Sequence, residues 1–159
     1  SKGQLGFSIE KLLPNGIQLL SVDKNQFDLS KINTIKTNLE NIKPDFIINC
    51  GAYTNVEMAE DEIETVMNIN SKSVKEIALY LKKNGGNLIQ ISTDYVFDGL
   101  NSKAYRVNDK VFPLNQYGLS KAKAEQLIQE ILGDTNQGIV IRTSWLMGSI
   151  GNNFLLKMF

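Results

Sequence analysis

Short apolar runs alternate along this chain with longer segments whose apolar residues recur at helical spacing. Four runs predict β-strands: Ile17 to Val22, Phe46 to Cys50, Asn87 to Ser92 and Gly138 to Arg142. Three segments predict helices: Ser30 to Ile42, Glu62 to Lys82 and Gln116 to Leu132. Three of the strands are apolar enough to be covered on both faces. The alternation therefore predicts an α/β fold with a doubly wound parallel sheet.

The junctions between these elements fit the same fold. Asn84-Gly85-Gly86 predicts a turn that closes the middle helix, and Pro44 fits a junction between a helix and a strand. The longest irregular stretch runs from Asp98 to Asn115, and a loop of that length is usually functional. In the last helix, one apolar stripe is predicted to pack in the core: Leu119, Ala122, Leu127, Ile128 and Ile131.

Composition removes several kinds of chemistry. The 159 residues include 17 basic and 17 acidic side chains, and neither sign forms a tract that would favour nucleic acid or a membrane surface. The absence of histidine excludes Ser-His-Asp and Cys-His catalysis within this sequence. The single cysteine, Cys50, is expected to be a buried thiol. With no bilayer-length apolar run and no secretion signal, we expect a cytoplasmic protein that binds a small metabolite.

Both ends of the sequence lead us to expect a piece of a longer polypeptide. Gly3 and Gly6 have the spacing of the last two glycines in a G-x-x-G-x-x-G turn, where a helix N-terminus approaches a pyrophosphate. Neither the strand nor the first glycine of that turn precedes Gly3. Residues 152 to 159 are an apolar, helix-like stretch without a cap. We therefore expect one partial domain over residues 1–159.

The strongest chemical signal is Tyr117-Gly-Leu-Ser-Lys121, at the start of the last predicted helix. Residues four apart share a helical face, and an ammonium group lowers the pKa of a neighbouring phenol, so Tyr117 is a candidate proton donor for carbonyl reduction. Thr93 follows a predicted strand, where its hydroxyl could bind a substrate carbonyl. Each feature also has a plainer interpretation, with the glycines as turns, Tyr117 as a helix cap and Lys121 as a solvated side chain.

Two further segments fit a dinucleotide site. Asp23 follows the first predicted strand at nearly the distance from Gly6 at which an acid accepts hydrogen bonds from the adenosine ribose. Its charge favours NAD over NADP, but adjacent Lys24 weakens that preference and leaves the cofactor open. Residues 50 to 54 combine small side chains with a hydroxyl after the second strand. Taken alone, these segments also suit an ordinary cap and an ordinary turn.

Six segments together make the chain resemble the extended short-chain dehydrogenases/reductases, and more narrowly the dTDP-4-dehydrorhamnose reductases. They are Gly3 to Gly6, Lys43 to Asp45, Asn49 to Glu60, Ser92 to Phe97, Tyr117 to Lys121 and Arg142 to Trp145. The runs Ser-Thr-Asp-Tyr-Val-Phe and Arg-Thr-Ser-Trp are the most specific. The resemblance implies a Rossmann-like NAD(P)-binding domain without its first strand and without the carboxy-terminal substrate domain.

The resemblance also implies an NADPH- or NADH-dependent reduction of the C4 keto group of dTDP-4-dehydro-6-deoxy-L-mannose to dTDP-L-rhamnose, a precursor of surface polysaccharide. Thr93 would orient the carbonyl, Tyr117 would protonate the alkoxide, and Lys121 would hold the nicotinamide ribose and lower the tyrosine pKa. Asn70 would support the site. Besides Tyr117 and Lys121, cofactor contacts are expected from Gly3, Gln4, Leu5, Asp23, Asp28, Leu29, Ala52, Tyr53 and Thr54. Substrate contacts are expected from Thr93, Asp94 and Trp145.

Two other functions remain open at this point. One is a different sugar-nucleotide 4-ketoreductase or epimerase, which would keep the Tyr117/Lys121 pair and change the sugar. The other is a non-catalytic dinucleotide-binding subunit, like the regulatory beta subunit of methionine adenosyltransferase, for which the three catalytic side chains would be unnecessary. Related reductases sometimes dimerise with the help of magnesium, so a homodimer and a magnesium site are further expectations for the full-length protein.

Overall fold

The computed structural model describes residues 3–148, 153 and 158. The helices are α1 (Gln4–Leu12), α2 (Ile32–Ile42), α3 (Ile63–Met67), α4 (Ser73–Asn84) and α5 (Gln116–Leu132). The strands are β1 (Phe46–Asn49), β2 (Asn87–Thr93) and β3 (Gly138–Thr143). A π-helical turn, Asn68–Lys72, joins α3 to α4, and short 3₁₀ turns lie at Met58–Glu60 and Asp94–Val96. The helix-like stretch predicted near residue 159 lies largely outside the described residues.

The three strands form one parallel sheet in the order β1-β2-β3. Leu88 of β2 lies opposite Ile47 of β1 on one side and Gly138 of β3 on the other. Because all three strands run in the same direction, their carboxyl ends meet at one edge of the sheet. The predicted parallel α/β sheet is confirmed.

One face of the sheet carries the core. Leu88, Gln90 and Ser92 alternate along β2 on this buried face, which α4 and α5 cover, while α2 packs beside α4. The buried apolar side chains are Ile35, Leu39, Val74, Ile77, Ala78, Tyr80, Leu81, Leu88, Ala124, Ile128 and Leu132. Burying them ties α5 to the sheet, so the start of α5 stands beside the carboxyl end of β2.

The strand predicted over Ile17 to Val22 is wrong. This segment is irregular, and the side chains of Ile17, Leu19 and Leu20 are 55%, 41% and 60% exposed. A strand forms only where a neighbour satisfies its backbone hydrogen bonds. In a doubly wound sheet the neighbour of this segment is the first strand, and the described residues contain no strand before Ile17.

Two helices differ from the prediction in ways that matter for the site. The helix predicted over Glu62 to Lys82 is interrupted by the π-helical turn, inside which Asn70 and Ser71 are buried. In α5, the predicted stripe is only partly correct because Leu119 is 46% exposed, whereas Lys121 is buried with Ala124, Ile128 and Leu132. A lysine therefore occupies the face of α5 that packs on the sheet.

Within the part of the chain that the structure describes, no helix combines the length and the apolar character needed to cross a bilayer.

Candidate active site

A cavity of about 310 Å³ lies at the edge of the sheet where the strands end. Its walls come from α1, from the segments that follow each of the three strands, and from the first turns of α5. They are formed by Leu5, Asn49, Cys50, Gly51, Ala52, Thr54, Val56, Ile91, Ser92, Thr93, Asp94, Tyr95, Tyr117, Lys121, Thr143, Ser144, Trp145 and Leu146. Parallel α/β sheets bind their ligands at this edge, which makes the cavity the candidate site.

The end of β2 and the start of α5 bring Thr93 and Tyr117 together. Asn115 caps α5, its side-chain oxygen accepting a hydrogen bond from the backbone N–H of Gly118 at 2.7 Å. This cap begins the helix beside the end of β2, where the Tyr117 hydroxyl is close enough to the Thr93 side chain for Thr93 to influence its pKa. The Tyr117 ring also meets the Tyr95 ring edge to face, with 5.7 Å between centroids. The two hydroxyls therefore form one polar pair on the cavity wall.

Asp94 links this pair to the segment that follows β3. One of its carboxylate oxygens accepts a hydrogen bond from the Thr93 hydroxyl at 3.2 Å, and the other accepts one from the Ser144 hydroxyl at 2.8 Å. Trp145 comes next and has a left-handed backbone conformation, with φ of 50°. The carboxylate thus connects the carboxyl end of β2 to the turn that carries Trp145.

Lys121 lies one helical turn after Tyr117 and is only 3% exposed. Its Nζ donates a hydrogen bond to the carbonyl oxygen of Ile91 at 2.5 Å. Burial lowers the pKa of Lys121 from 10.5 to about 8, and the carboxylate of Glu125 opposes that lowering. The interpretation of Lys121 as a solvated side chain is therefore wrong, and a buried ammonium of this kind is typical of functional sites.

The pKa of Tyr117 moves in the direction opposite to the one that the Tyr117/Lys121 spacing predicts. Burial raises the pKa of the Tyr117 hydroxyl above its ordinary value, and the hydrogen bond with Thr93 only partly opposes this. Lys121 is not among the groups that shift the pKa of Tyr117. Tyr117 is consequently protonated at neutral pH, the state in which a phenol can donate a proton.

Gly118 allows the close approach of α5 to the end of β2. A Cβ atom at this position would overlap the backbone carbonyl oxygen of Tyr95. Any larger residue would push the first turn of α5 away from the strand end. The glycine in Tyr117-Gly-Leu-Ser-Lys121 therefore sets the distance between Tyr117 and Thr93.

We expect Gly118→Ala to lower the free energy of unfolding by about 1–3 kcal/mol, as overpacking against backbone does. Denaturant unfolding of the variant and the parent chain measures this difference. Gly3→Ala is the matched control, because a Cβ at Gly3 meets nothing within 4 Å. Equal stability of Gly118→Ala and the parent chain would contradict the steric role of Gly118.

Asn70 joins the loop after β1 to α5. Its side-chain oxygen accepts a hydrogen bond from the backbone N–H of Tyr53 at 2.8 Å, and its amide donates to the Tyr53 carbonyl at 3.0 Å. The same amide donates to the Ser120 hydroxyl at 3.0 Å, which in turn donates to the Tyr117 carbonyl at 2.7 Å. Asn70 is 1% exposed and thus ties two walls of the cavity together.

The structure brings many of the predicted site residues to this cavity, but not all of them. Those on its walls are Leu5, Ala52, Thr54, Thr93, Asp94, Tyr117, Lys121 and Trp145. Those that do not line it are Gly3, Gln4, Asp23, Asp28, Leu29 and Tyr53. Leu29 nevertheless packs against the wall from behind, since a Cβ at Gly51 would lie 2.8 Å from its side chain.

The two acids predicted to contact the cofactor, Asp23 and Asp28, have local structural partners. The Asp28 carboxylate accepts hydrogen bonds from the backbone N–H and the hydroxyl of Ser30, which lower its pKa. Asp23 begins a turn in which its carboxylate accepts a hydrogen bond from the backbone N–H of Asn25 at 2.9 Å. Both acids therefore organise the chain that leads to α2.

Several residues of the site were not predicted. They act through their contacts with the predicted site residues and their neighbours, and they are Ser120, Ser144, Glu125 and Arg142. Ser120 and Ser144 lie inside the quoted motifs, and Glu125 lies four residues after Lys121, so helical spacing alone could have drawn attention to it. Cys50, predicted to be buried, is half-buried on the cavity wall, and burial raises the pKa of its thiol.

Comparison with known protein families agrees with this geometry. A family model described as the RmlD substrate binding domain matches residues 1–159. The chain belongs to this family. The family also accounts for the resemblance to dTDP-4-dehydrorhamnose reductases seen in the sequence motifs.

Individual relatives of this RmlD-family chain carry related names. The dTDP-4-dehydrorhamnose reductase of Aggregatibacter actinomycetemcomitans is 37% identical over 158 residues, which are 98% of this chain and 53% of that protein. The dTDP-4-keto-6-deoxy-D-glucose reductase of Streptomyces niveus is 30% identical, over 98% of this chain and 54% of that protein. The chain thus spans about half the length of the curated relatives it matches.

A solved structure agrees in fold as well as in sequence. The dTDP-4-dehydrorhamnose reductase of Bacillus anthracis, solved in complex with NADP, matches with a TM-score of 0.89 and 37% identity. The match covers 98% of this chain and 55% of that one.

Proposed function

We propose that the full-length protein uses NADPH or NADH to reduce the C4 keto group of dTDP-4-dehydro-6-deoxy-L-mannose to dTDP-L-rhamnose. The observation that carries this proposal is the buried Lys121 beside the Thr93–Tyr117 pair at the carboxyl edge of a parallel sheet, in a chain of the RmlD family. The names of the reductases that it resembles support the choice of substrate. Residues 1–159 would form the cofactor-binding part of that protein.

The residues at the sheet edge fit a nicotinamide dinucleotide. The cavity is large enough for the nicotinamide end, and the small residues Gly51 and Ala52 leave room along one wall. α1 begins after Gly3 with no side-chain cap among the described residues, so the backbone N–H groups of its first turn could meet a phosphate. The NADP complex of the Bacillus anthracis relative also supports this assignment. The bound dinucleotide would supply the hydride.

The protein's own groups would hold the carbonyl and deliver the proton. Thr93 would donate a hydrogen bond to the carbonyl oxygen in place of its bond to Asp94. Tyr117 would give its hydroxyl proton to that oxygen as negative charge develops there. Lys121, held by the Ile91 carbonyl, would place a positive charge close to both the tyrosine and the ribose. Because the catalytic side chains are largely buried, the proton would not be lost to bulk water.

The sugar nucleotide would approach along the Asp94 and Trp145 side of the cavity. Trp145 is 60% exposed and follows Ser144, which Asp94 holds. An exposed indole beside a fixed carboxylate offers one surface for stacking and one acceptor for sugar hydroxyls.

A second candidate keeps the chemistry and changes the sugar. The similarity to a dTDP-4-keto-6-deoxy-D-glucose reductase favours this alternative over one outside sugar-nucleotide chemistry. The regulatory-subunit hypothesis is weaker, because a protein that only binds a dinucleotide does not need the Thr93, Tyr117 and Lys121 side chains together.

The deciding experiment follows the absorbance of NADPH and NADH when the full-length protein is mixed with dTDP-4-dehydro-6-deoxy-L-mannose. Oxidation of the cofactor with formation of dTDP-L-rhamnose is the expected result. Oxidation only with dTDP-4-keto-6-deoxy-D-glucose would favour the second candidate. Cofactor binding without oxidation of either sugar would favour the regulatory-subunit hypothesis.

The cellular setting is part of the same proposal. We place the protein in the cytoplasm, where NAD(P)H and dTDP-sugars are available, and expect a homodimer. Among the described residues there is no group of three or more acidic, cysteine or histidine side chains that could hold a metal ion. A magnesium site therefore stays a prediction for the full-length protein.

A further inference from the structure

A second polar cluster lies directly beneath the catalytic pair, on the sheet face that α5 covers. Its centre is the carboxylate of Glu125, one helical turn after Lys121. That carboxylate accepts hydrogen bonds from the Ser92 hydroxyl at 2.5 Å and from the Arg142 guanidinium at 2.7 and 3.0 Å. The Glu125 side chain is only 10% exposed and the Arg142 side chain 25%. We call these three residues the Glu125 cluster.

The Glu125 cluster touches the site from two directions. Along α5, Glu125 follows Lys121 at the spacing of side chains that share a helical face. Along β2, Ser92 immediately precedes Thr93, and its carbonyl accepts a hydrogen bond from the Thr143 hydroxyl at 3.2 Å. One carboxylate therefore connects the helix that carries Tyr117 and Lys121 to the strand that carries Thr93.

Arg142 extends the connection to the long loop over residues 98 to 115. Its guanidinium donates a hydrogen bond to the Val107 carbonyl at 3.1 Å and lies over the Phe97 ring, 5.0 Å from the centroid. Phe97 stacks on Tyr105 with 4.1 Å between ring centroids. Arg142, which pairs with Glu125, therefore also anchors this long loop.

We propose that Glu125 is a positioning residue for the reaction: its carboxylate, held by Arg142, fixes Thr93 through Ser92 and sets the electrostatic surroundings of Lys121 one helical turn away on α5. This inference rests on the proposed function, because it concerns the reactivity of the same site. The buried carboxylate of Glu125 has a charged partner in Arg142, whose guanidinium contacts both carboxylate oxygens. The negative charge of Glu125 in turn favours the ammonium form of Lys121 against the effect of burial.

The other charged and titratable groups that share the cavity wall with Lys121 are Tyr117 on α5, Asp94 and Tyr95 after β2, and Cys50 after β1. Arg142 on β3 pairs with Glu125. Only burial and Glu125 shift the pKa of Lys121. A change of charge at Glu125 therefore has a specific readout at Lys121.

The test is the pH profile of Glu125→Gln in the full-length protein. Glutamine keeps the shape of the side chain and can still accept from Ser92, but it removes the charge that favours the Lys121 ammonium. If activity requires that ammonium, the alkaline limb of the kcat–pH profile should move to lower pH by about one pH unit. This is the size of pKa shift that one nearby opposite charge produces. Glu130→Gln, the same change at an exposed position of α5, should leave the limb where it is.

Two further measurements keep the inference open to refutation. Glu125→Asp keeps the charge but shortens the side chain, so kcat should fall severalfold while the limb stays in place. If Glu125→Gln does not fold, Glu125→Asp still tests the role of Glu125. NADPH binding, followed by fluorescence against pH without any sugar, should show the same movement of the limb in Glu125→Gln.

The outcomes separate this inference from the proposed function. If the parent protein binds NADPH and does not oxidise it with the sugar, the proposed reduction fails, and the binding profile still tests Glu125. If the parent turns over normally and both Gln variants share its pH profile, Glu125 has no positioning role. Wild-type kcat in Glu125→Asp would overturn the inference in the same way. A uniform fall of kcat at every pH in Glu125→Gln would show a structural role only.

Discussion

Tyr117→Phe is expected to lower turnover of the full-length protein by roughly 10²- to 10⁴-fold, the contribution of a positioned general acid. The substitution removes one hydroxyl and keeps the ring, so the edge-to-face contact with Tyr95 should survive. Cofactor affinity should stay nearly unchanged, because the ammonium of Lys121 remains. Steady-state kinetics and NADPH titration measure the two quantities separately.

The control for this prediction is Tyr80→Phe, which makes the same change in the core, away from the cavity. It should leave turnover close to that of the parent. Unchanged turnover in Tyr117→Phe would remove Tyr117 from the role of acid. A large loss of NADPH affinity would instead mean that the hydroxyl serves binding and not proton transfer.

The strands and helices that the sequence predicts correctly are those whose partners are also in the described chain. Phe46, Asn87 and Gly138 each begin a strand where the apolar pattern predicts one, because β1, β2 and β3 satisfy each other's hydrogen bonds. Ile17 to Val22 has an equally good pattern and forms no strand. The local apolar pattern of a segment shows how well it suits a β-strand. Whether the strand forms depends on a neighbouring strand, which the local pattern does not reveal.

The site was predictable in outline for a different reason. Tyr117 and Lys121 share a helical face whatever surrounds them, and Thr93 lies at a strand end, so their positions follow from local geometry. The burial of Lys121 was not predictable, because a lysine is normally solvated and only the packing of α5 on the sheet covers it.

The supporting contacts depend still more on tertiary structure. Asn70 reaches Tyr53 from inside a π-helical turn, and Arg142 reaches Glu125 from another element. Side-chain contacts over such separations arise when the fold closes, and no pattern in a single sequence encodes them.

Lys121→Met is expected to destroy function and raise stability together. Methionine keeps the unbranched side chain that fills the space between α5 and β2 and removes the buried charge. In the folded chain the pKa of Lys121 is about 8, against an ordinary 10.5. That difference corresponds to roughly 3 kcal/mol, which the folded state loses by holding the ammonium at pH 7. Allowing for the lost hydrogen bond to Ile91, we expect the free energy of unfolding to rise by about 1–3 kcal/mol at pH 7.

The dependence on pH follows from the same values. Between about pH 8 and pH 10.5 the unfolded chain holds a proton on Lys121 that the folded chain has released, so the parent gains stability as pH rises through this range. The advantage of Lys121→Met should therefore be largest below pH 8 and shrink toward pH 10. Denaturant unfolding at several pH values measures it, with Lys123→Met on the same helix as the control.

Lys121→Met should lose activity even though its folded state is more stable than that of the parent. Turnover should fall by at least about 10²-fold and NADPH should bind more weakly, since in the proposed function one ammonium group serves both the tyrosine and the ribose. A variant that is less stable than the parent at pH 7 would show that the contacts of the ammonium outweigh its burial. Normal NADPH affinity in a stable variant would separate the two roles and leave Lys121 acting on Tyr117 alone.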